Sequence, residues 1–204
     1  MTALIIDIDS VVREDNFEDS VRWLVSGASQ VICIGVPPKK SGFPRKTQVV
    51  VPQNLAVYES PSCKAIHPDW MAAVEMAAQE ASNSIATLRA EAGRLLVGVK
   101  LQVQSRKVHG LEVGIEITPD VSSKKLHQLG ISATLKAMAN VAAAQNFVLS
   151  ESGGTIYAVP HSLSANAAIQ HCVDYAKIDN VALWSNNEGL RKNLSSITTM
   201  HITT

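Results

Sequence analysis

The first part of the chain contains two short runs of apolar residues, Ala3–Ile8, which includes Asp7, and Val31–Val36. Neither run alternates apolar with polar residues, which is typical of parallel strands buried on both faces. An amphipathic stretch between them ends at Gly27 and predicts a helix. We therefore predict a strand, helix, strand crossover, and the runs Gln48–Pro52 and Leu55–Tyr58 continue the same sheet.

A long helical pattern follows. From Trp70 to Leu95 apolar residues recur in steps of three and four, which predicts one helix beginning after Pro68 and Asp69. Two extended runs at 96–103 and 110–117 come next, followed by an alanine-rich helix at 132–144 and a hairpin at 147–159. This middle section predicts a small antiparallel sheet with helices on one face.

The strand and helix alternation returns after residue 160, with a helix at Ala165–Tyr175, a strand at Asn180–Trp184 and a last strand around 197–202. The predicted fold class is α/β, with a Rossmann-like parallel sheet and an inserted α+β cap. We place the core at residues 1–52 and 161–204 and the cap at residues 53–160.

Composition narrows the class of partner. The 204 residues are 46% hydrophobic and 18% charged, which is enough apolar material for a continuous core. Lys plus Arg equals Asp plus Glu at 18 each, so a nucleic-acid partner is not expected. No apolar stretch approaches the roughly 18 residues of a membrane span, and no targeting signature opens the chain, so we expect no membrane partner and a cytoplasmic protein.

Two acidic residues end the first predicted strand. Asp7 and Asp9 lie where open α/β sheets form their ligand crevices, just outside the carboxyl ends of the strands. Two such carboxylates can hold Mg²⁺, leaving one oxygen as a nucleophile toward phosphorus while the other residue moves a proton. In the competing interpretation Asp9 caps a turn and Asp7 forms an ion pair.

The segment Asp7-Ile-Asp-Ser-Val11 resembles the first motif, DxDx(T/V), of the haloacid dehalogenase superfamily. The order of elements is similar to that of its sugar-phosphate phosphatases, the trehalose-phosphate and sucrose-phosphate type, over nearly the whole chain. The resemblance implies a Mg²⁺-dependent phosphatase that works through an aspartyl-phosphate, with Asp7 as nucleophile and Asp9 as general acid and base. It also implies Asp7, Asp9, Asn186 and Glu188 as metal ligands.

The resemblance extends to substrate-binding residues. The segment Gln104–Gly114 is similar to a cap segment that faces the substrate, which implies roles for Lys107 and His109. In the family, the second motif supplies a hydroxyl and the third motif a lysine. The resemblance implies Ser41 as the substitute for that hydroxyl, and Lys124 or Lys125 as the substitute for that lysine.

Three departures from the family pattern reduce the activity that we expect. The run Val31–Gly35 ends without a hydroxyl residue, and Ala165 stands where the family has its lysine. The segment Trp184–Gly189 offers amides and one carboxylate in place of the aspartates of the fourth motif.

Three functions remain open. The first is a phosphatase of a small phosphorylated metabolite, with a sugar phosphate as the expected substrate. The second is a catalytically weak or inactive domain of the same fold that binds a ligand or a protein. The third is a scaffold in which the alanine-rich stripe of the long helix forms the seam of a homodimer. The six histidines form no HxH or HxxxH pair, so a metal site built on imidazole is not expected.

Overall fold

The computed structural model describes residues 2–12, 16–39, 42–95, 101–120 and 124–202, without the side chains at positions 95, 101, 119 and 124–127. The chain divides into two compact units, Met1–Met71 with Ala165–Thr204, and Ala72–Ser164. The sequence placed these boundaries near residues 53 and 160. The first unit continues to Met71, beyond a strand at Ala56–Tyr58 that pairs with its sheet.

The elements follow one another along the chain in the order strand and helix, then helix and antiparallel strands, then strand and helix again. The strands are β1 (Thr2–Asp7), β2 (Gln30–Ile34), β3 (Gln48–Val51), β4 (Ala56–Tyr58), β5 (Leu101–Val108), β6 (Leu111–Pro119), β7 (Phe147–Ser152), β8 (Thr155–Pro160), β9 (Asn180–Trp184) and β10 (Met200–Ile202). The helices are α1 (Ile8–Val11), α2 (Phe17–Ser26), α3 (Pro68–Leu95), α4 (Lys124–Ala144), α5 (Ala165–Ala176) and α6 (Glu188–Asn193).

The sheet of the first unit has the order β10-β9-β1-β2-β3-β4, and all neighbours are parallel except β3 and β4. Leu4 and Ile6 of the central strand β1 point to one face, where Phe17 of α2 packs in the same apolar cluster. Ile5, between them, points to the other face and is fully buried. Helix α5 contacts β2 and β3. Burial on both faces leaves the strand ends as the place for polar groups.

The second unit contains an antiparallel sheet of order β5-β6-β8-β7. Its apolar face packs against residues of α3 and α4 in one cluster that includes Leu88, Ile115, Ile117, Met138 and Ile156. The antiparallel sheet with helices on one face is the arrangement that the sequence predicted.

The predicted fold class is confirmed: a parallel-strand sheet is combined with an inserted antiparallel sheet and its helices. Two predicted boundaries are shifted. The strand predicted at 96–103 does not end at 103 but continues to Val108, because the hairpin turn falls at His109 and Gly110, whose φ angles are 48° and 84°. The predicted start of this strand lies outside the described residues, which leave out 96–100. Helix α4 begins at Lys124 rather than at 132. Within the described ranges, the helices are all too short or too polar to cross a bilayer.

Candidate active site

The two aspartates lie on either side of the point where strand β1 becomes helix α1. Asp7 is the last residue of β1 and is 6% exposed, whereas Asp9 lies in the single turn of α1 and is exposed. Because β1 is central and its neighbours β2 and β9 run parallel to it, three strands end beside this turn. The two aspartates therefore lie at the carboxyl edge of the sheet, where open α/β sheets form their ligand crevices.

Asp9 lies against the end of the neighbouring strand β2. Gly35 directly follows β2 with a φ of 89°, and a Cβ atom at Gly35 would lie 3.4 Å from Oδ1 of Asp9. A larger residue would be strained in this left-handed conformation and would press on the carboxylate. The absence of a side chain at Gly35 therefore leaves room for the Asp9 carboxylate. It also means that this position cannot supply the hydroxyl of the family's second motif.

Ser185 holds the buried aspartate from the opposite side. It directly follows β9, is fully buried, and its hydroxyl donates to Asp7 Oδ2 over 2.7 Å. The main-chain N–H of Asn187 donates to the same Ser185 Oγ over 3.0 Å. Since the hydroxyl proton is directed at the carboxylate, Ser185 fixes Oδ2 of Asp7 and leaves Oδ1 outside this bond.

A second serine joins the same two segments. Ser10 Oγ donates to the main-chain carbonyl of Asp7 over 3.2 Å and accepts from the main-chain N–H of Asn186 over 3.0 Å. The hydroxyl oxygens of Ser10 and Ser185 are 3.3 Å apart. The loop after β9 is therefore connected to the β1–α1 turn by two hydroxyl groups, which together form a hydrogen-bond network around Asp7.

The loop after β9 contains the other predicted metal ligands. The Asn187 side-chain oxygen accepts from the main-chain N–H of Leu190 over 3.1 Å and thereby caps α6. Glu188 is the first residue of α6 and is exposed. Arg191 reaches back from α6 and donates to the Ser185 carbonyl over 2.7 Å, which places a cation beside this loop.

The side chains at the carboxyl edge of this sheet offer oxygen atoms, which hard cations prefer, but few of these side chains are charged. The Asp7 and Asp9 carboxylates are oxygen donors of the type that Mg²⁺ takes, and Mg²⁺ commonly keeps several waters and needs only one or two carboxylates. Among the described residues, no three or more His, Cys, Asp or Glu side chains gather to form a metal site. Water and substrate would have to supply the remaining ligands.

The predicted substrate-binding residues are distributed over other segments. Lys107 is exposed on β5 opposite Glu112, and Glu112 forms a 2.6 Å ion pair with Arg89 of α3, so Lys107 lies on the face of the sheet toward α3. His109 is exposed in the β5–β6 turn. Ser41 lies outside the described residues, and so does the side chain of Lys124 at the start of α4.

The sequence did not identify Ser10, Ser185 or Arg191 as members of the site. A serine after a strand is ordinarily a turn residue, and the pattern alone does not distinguish a turn serine from one that donates to a carboxylate. The parallel pairing of β9 with β1 brings residue 185 beside residue 7, and this pairing is seen in the structure and not in the local sequence pattern.

No family model and no curated protein matches this sequence. Similarity to other proteins is found instead by comparison with solved structures. The IMP-nucleotidase of Plasmodium falciparum superposes with a TM-score of 0.63 at 8% identity, over 100% of this chain and 63% of that chain. The sucrose-phosphatase of Synechocystis, in complex with sucrose and phosphate, gives 0.59 at 10% identity over 100% and 91%. The trehalose-6-phosphate phosphatase of Aspergillus fumigatus gives 0.54 at 10% identity over 100% and 82%.

All three proteins are haloacid dehalogenase superfamily members. The chain has a haloacid dehalogenase-type fold. It spans 63% of the length of the IMP-nucleotidase. The segment that the sequence resemblance compares with the family's fourth motif includes Ser185, which donates to Asp7. Ala165, which the resemblance compares with the lysine of the third motif, is the first residue of α5. The three departures from the family pattern expected from the sequence therefore lie at Gly35, at Ala165 and in the segment Trp184–Gly189.

Proposed function

We propose that this chain is a phosphohydrolase of small phosphorylated metabolites, with Asp7 as nucleophile, Asp9 as general acid and base, and Mg²⁺ as cofactor. The observation that carries the proposal is the pairing of a buried, oriented carboxylate with an exposed one at the carboxyl edge of the central strand. The haloacid dehalogenase-type fold supports the same chemistry, because its solved neighbours are phosphatases and a nucleotidase.

The reaction needs two displacements at phosphorus. Asp7 Oδ1, the oxygen not engaged by Ser185, attacks the phosphorus atom as the bond from phosphorus to the leaving oxygen breaks. Asp9 gives its proton to that leaving oxygen and releases an alcohol. The Asp9 carboxylate then takes a proton from a water whose oxygen attacks the phosphorus of the acyl phosphate on Asp7. The bond from phosphorus to Asp7 Oδ1 breaks, which frees inorganic phosphate and restores both side chains.

Phosphoryl transfer requires above all that the negative charge on the phosphoryl oxygens be stabilised. When bound, Mg²⁺ would offset the negative charge of the phosphoryl group, with Asp7 and Asp9 as its carboxylate ligands and Asn186 and Glu188 as further oxygen donors. Arg191, fixed to the Ser185 carbonyl, contributes a positive charge near the same loop. Lys107, His109, Ser41 and Lys124 remain proposed contacts to the substrate.

A sugar phosphate is the substrate class that we propose. Two of the neighbouring structures are phosphatases of sucrose phosphate and trehalose 6-phosphate by name, and the third is an IMP-nucleotidase, so each acts on a phosphate monoester of a hydroxylated molecule. The second unit contains the antiparallel sheet and also Lys107 and His109, which we propose as contacts to this substrate.

A second function is favoured by the residues that depart from the family pattern. Gly35 offers no hydroxyl, Ala165 offers no cation, and Ser185 donates to Asp7 where an acid would add charge. Loss of one such stabilising group commonly costs about 3–4 kcal/mol of transition-state stabilisation, or roughly two to three decades in rate. A domain that binds the phosphorylated ligand without turnover is the alternative.

Phosphate release from a panel of sugar phosphates and IMP, with Mg²⁺ and with EDTA, tests the proposal. Wild type is compared with Asp7→Asn and with Asp19→Asn, the same substitution on an exposed side chain of α2. We expect Mg²⁺-dependent release that is lost in Asp7→Asn and retained in Asp19→Asn. No release, or release unaffected by Asp7→Asn, contradicts the enzyme. In that case a rise in melting temperature with Mg²⁺ and a sugar phosphate supports the binding domain.

A further inference from the structure

Helix α3 has two neighbouring faces with different surroundings. One face carries the apolar stripe that the sequence predicts, and its residues Ala81, Leu88 and Ala92 are buried in the cluster with the antiparallel sheet and α4. That stripe is occupied by contacts within the chain, so it is not free to form the seam of a homodimer. The neighbouring face of α3, which includes Glu75 and Ser82, is exposed.

The exposed face of α3 forms one wall of an open groove with a volume of about 580 Å³, which we call the α3 groove. Its other wall is the end of the β5–β6 hairpin, at Gly110, Leu111 and Glu112. The α3 wall extends from Glu75 to Arg89, which is about four turns or about 21 Å of helix. A groove of this length beside one helix matches a second helix better than a compact small molecule, since helices pack side by side along their length.

Charge differs between the two ends of the α3 groove. At one end, Glu75 forms no ion pair with any of the described residues. At the other end, Arg89 donates to Glu112 over 2.6 Å, and Lys107 lies opposite Glu112 in the pairing of β5 with β6. Two cations and one carboxylate leave this second end positive. The groove therefore has a negative end and a positive end.

This distribution of charge fits a second copy of the same chain. Ser82 lies seven residues after Glu75 and seven residues before Arg89, so it is the midpoint of the α3 wall. In a two-fold interface, residue i of one copy contacts residue j of the other, and j contacts i. Antiparallel α3 helices centred on Ser82 bring Glu75 of each copy to Arg89 of the other. Parallel helices would instead bring like charges together at both ends.

The middle of the α3 groove permits two helices to approach closely. Ala78, Ser82 and Ala86 are small and uncharged. Small side chains at a helix contact allow an interaxial distance at the short end of the usual range of about 8–10 Å. On the hairpin wall, Leu111 is half-buried and offers apolar surface that a second helix would cover. The centre of the groove can therefore supply packing, whereas its ends supply orientation.

We propose that the α3 groove is the interface of a homodimer in which the α3 helices of two copies pack antiparallel about Ser82. Each Glu75 binds Arg89 of the other copy. Arg89 keeps its bond to Glu112, because a guanidinium has five N–H donors and can serve two carboxylates. The dimer needs neither metal nor turnover, so it stands independently of the proposed phosphohydrolase activity.

Sedimentation velocity over a concentration series up to about 0.5 mM tests the dimer, because this range covers micromolar dissociation constants. We expect wild type to reach twice the mass of one chain. Glu75→Lys places like charges at both ends of the interface, so the Kd of the dimer should rise at least about tenfold. Glu80→Lys, the same substitution at an exposed α3 position outside the groove lining, should leave the Kd unchanged. Monomeric wild type throughout the series, or equal effects of the two variants, overturns the proposal.

Cross-linking through Ser82→Cys tests the antiparallel register independently. The two copies of this position face each other at the two-fold axis, and a disulfide requires Cα atoms within about 7 Å of each other. Mild oxidation should give a covalent dimer on a non-reducing gel. Wild type, whose cysteines are buried or half-buried, and Thr87→Cys, at an exposed position on another side of α3, should remain uncrosslinked. Failure of Ser82→Cys to cross-link, or equal cross-linking by Thr87→Cys, overturns the proposed pairing.

Discussion

The two compact units place their polar groups differently, because their sheets differ. In the first unit the parallel strands are buried on both faces, so Asp7, Asp9 and Ser185 are found where strands end. In the second unit helices cover one face of an antiparallel sheet, and Arg106 and Glu116 are found in the middle of strands on the other. The ends of neighbouring parallel strands place a few polar side chains close together, an arrangement that suits catalysis. A sheet face spreads groups over a wide surface, which suits recognition.

Replacing the exposed aspartate of the first unit should have the largest effect. Asp9→Asn removes the proposed proton donor, so kcat for a sugar phosphate should fall by about 10²–10⁴-fold. An ester such as p-nitrophenyl phosphate, whose leaving group needs no proton, should lose much less. Steady-state kinetics with both substrates measures the difference. An equal loss with both substrates would mean that Asp9 acts on the nucleophile or the metal instead of the leaving group.

The second unit should be most sensitive at Gly114 of β6. A Cβ atom at this position would lie only 2.2 Å from the carbonyl oxygen of Ala158 on the paired strand β8, so the two backbones must separate to admit it. We expect Gly114→Ala to lower the free energy of unfolding by about 2–3 kcal/mol, the cost of forcing extra volume into a packed site. Urea unfolding monitored by NMR should show the loss in amides of β5 to β8. Uniform loss in both units would show that they unfold as one body.

The serine that holds Asp7 should have an intermediate effect on stability. Ser185→Ala leaves Oδ2 of a buried carboxylate without its 2.7 Å donor, which we expect to cost about 1–3 kcal/mol. If Ser185 also orients the nucleophile, kcat falls while KM changes little, and Ser185→Thr restores much of kcat. Thermal unfolding and kinetics on the three proteins provide both measurements. A change confined to stability would leave Ser185 a structural residue.

How much the sequence predicted also differs between the units. The position of Asp7 and Asp9 followed from one local pattern, an uninterrupted apolar strand that ends in acids, and no distant contact was needed. Ser185 is 178 residues from Asp7 in sequence, and only the pairing of β9 with β1 brings the two together. Local periodicity does not contain that information.

In the second unit the type of element was easier to predict than its register. The strand predicted at 96–103 continues to Val108, whereas its predicted start lies outside the described residues. Side chains alternate along a strand, so the face on which a residue lies depends on the register of pairing, which a single run of residues does not contain. Lys107 was predicted to contact the substrate from a resemblance, whereas its neighbour Arg106 forms an ion pair with Glu116. The register of pairing between β5 and β6 shifts between Arg106 and Lys107. That irregularity is visible only in the paired strands.

Gly93 offers a smaller effect of opposite sign within the second unit. It lies inside α3, and a Cβ atom there would meet none of the described residues within 4 Å. Gly93→Ala should therefore raise the free energy of unfolding by about 0.5–1 kcal/mol, since alanine restricts the unfolded chain and favours the helix. Chemical denaturation of wild type, Gly93→Ala and Gly114→Ala compares two glycines of one unit. Destabilisation by Gly93→Ala would show that α3 is packed at this position.

The smallest effect that we expect is an acid-sensitive loss of stability in the first unit. His67, buried just before α3, and His171 of α5 face each other with Nδ1 and Nε2 3.5 Å apart. Burial lowers the pKa of His171, and the neighbouring His67 lowers it further, against the opposing charges of Asp69 and Asp174. The folded protein therefore keeps this imidazole neutral at a pH where the unfolded chain already binds a proton.

This difference in proton binding fixes the sign of the pH dependence. The contribution of His171 to stability is complete above its ordinary pKa of 6.5 and is lost as the pH falls below that value toward the lowered pKa of the folded state. Urea unfolding at pH 7.5 and 5.5 should show a lower free energy at the acidic pH, with a weaker dependence in His171→Gln. His161→Gln, at an exposed position of the second unit, is the control. If His171→Gln keeps the full pH dependence, the acid-sensitive group lies elsewhere, and the imidazole pair is a packing contact like the edge-to-face contact of His67 with Tyr175.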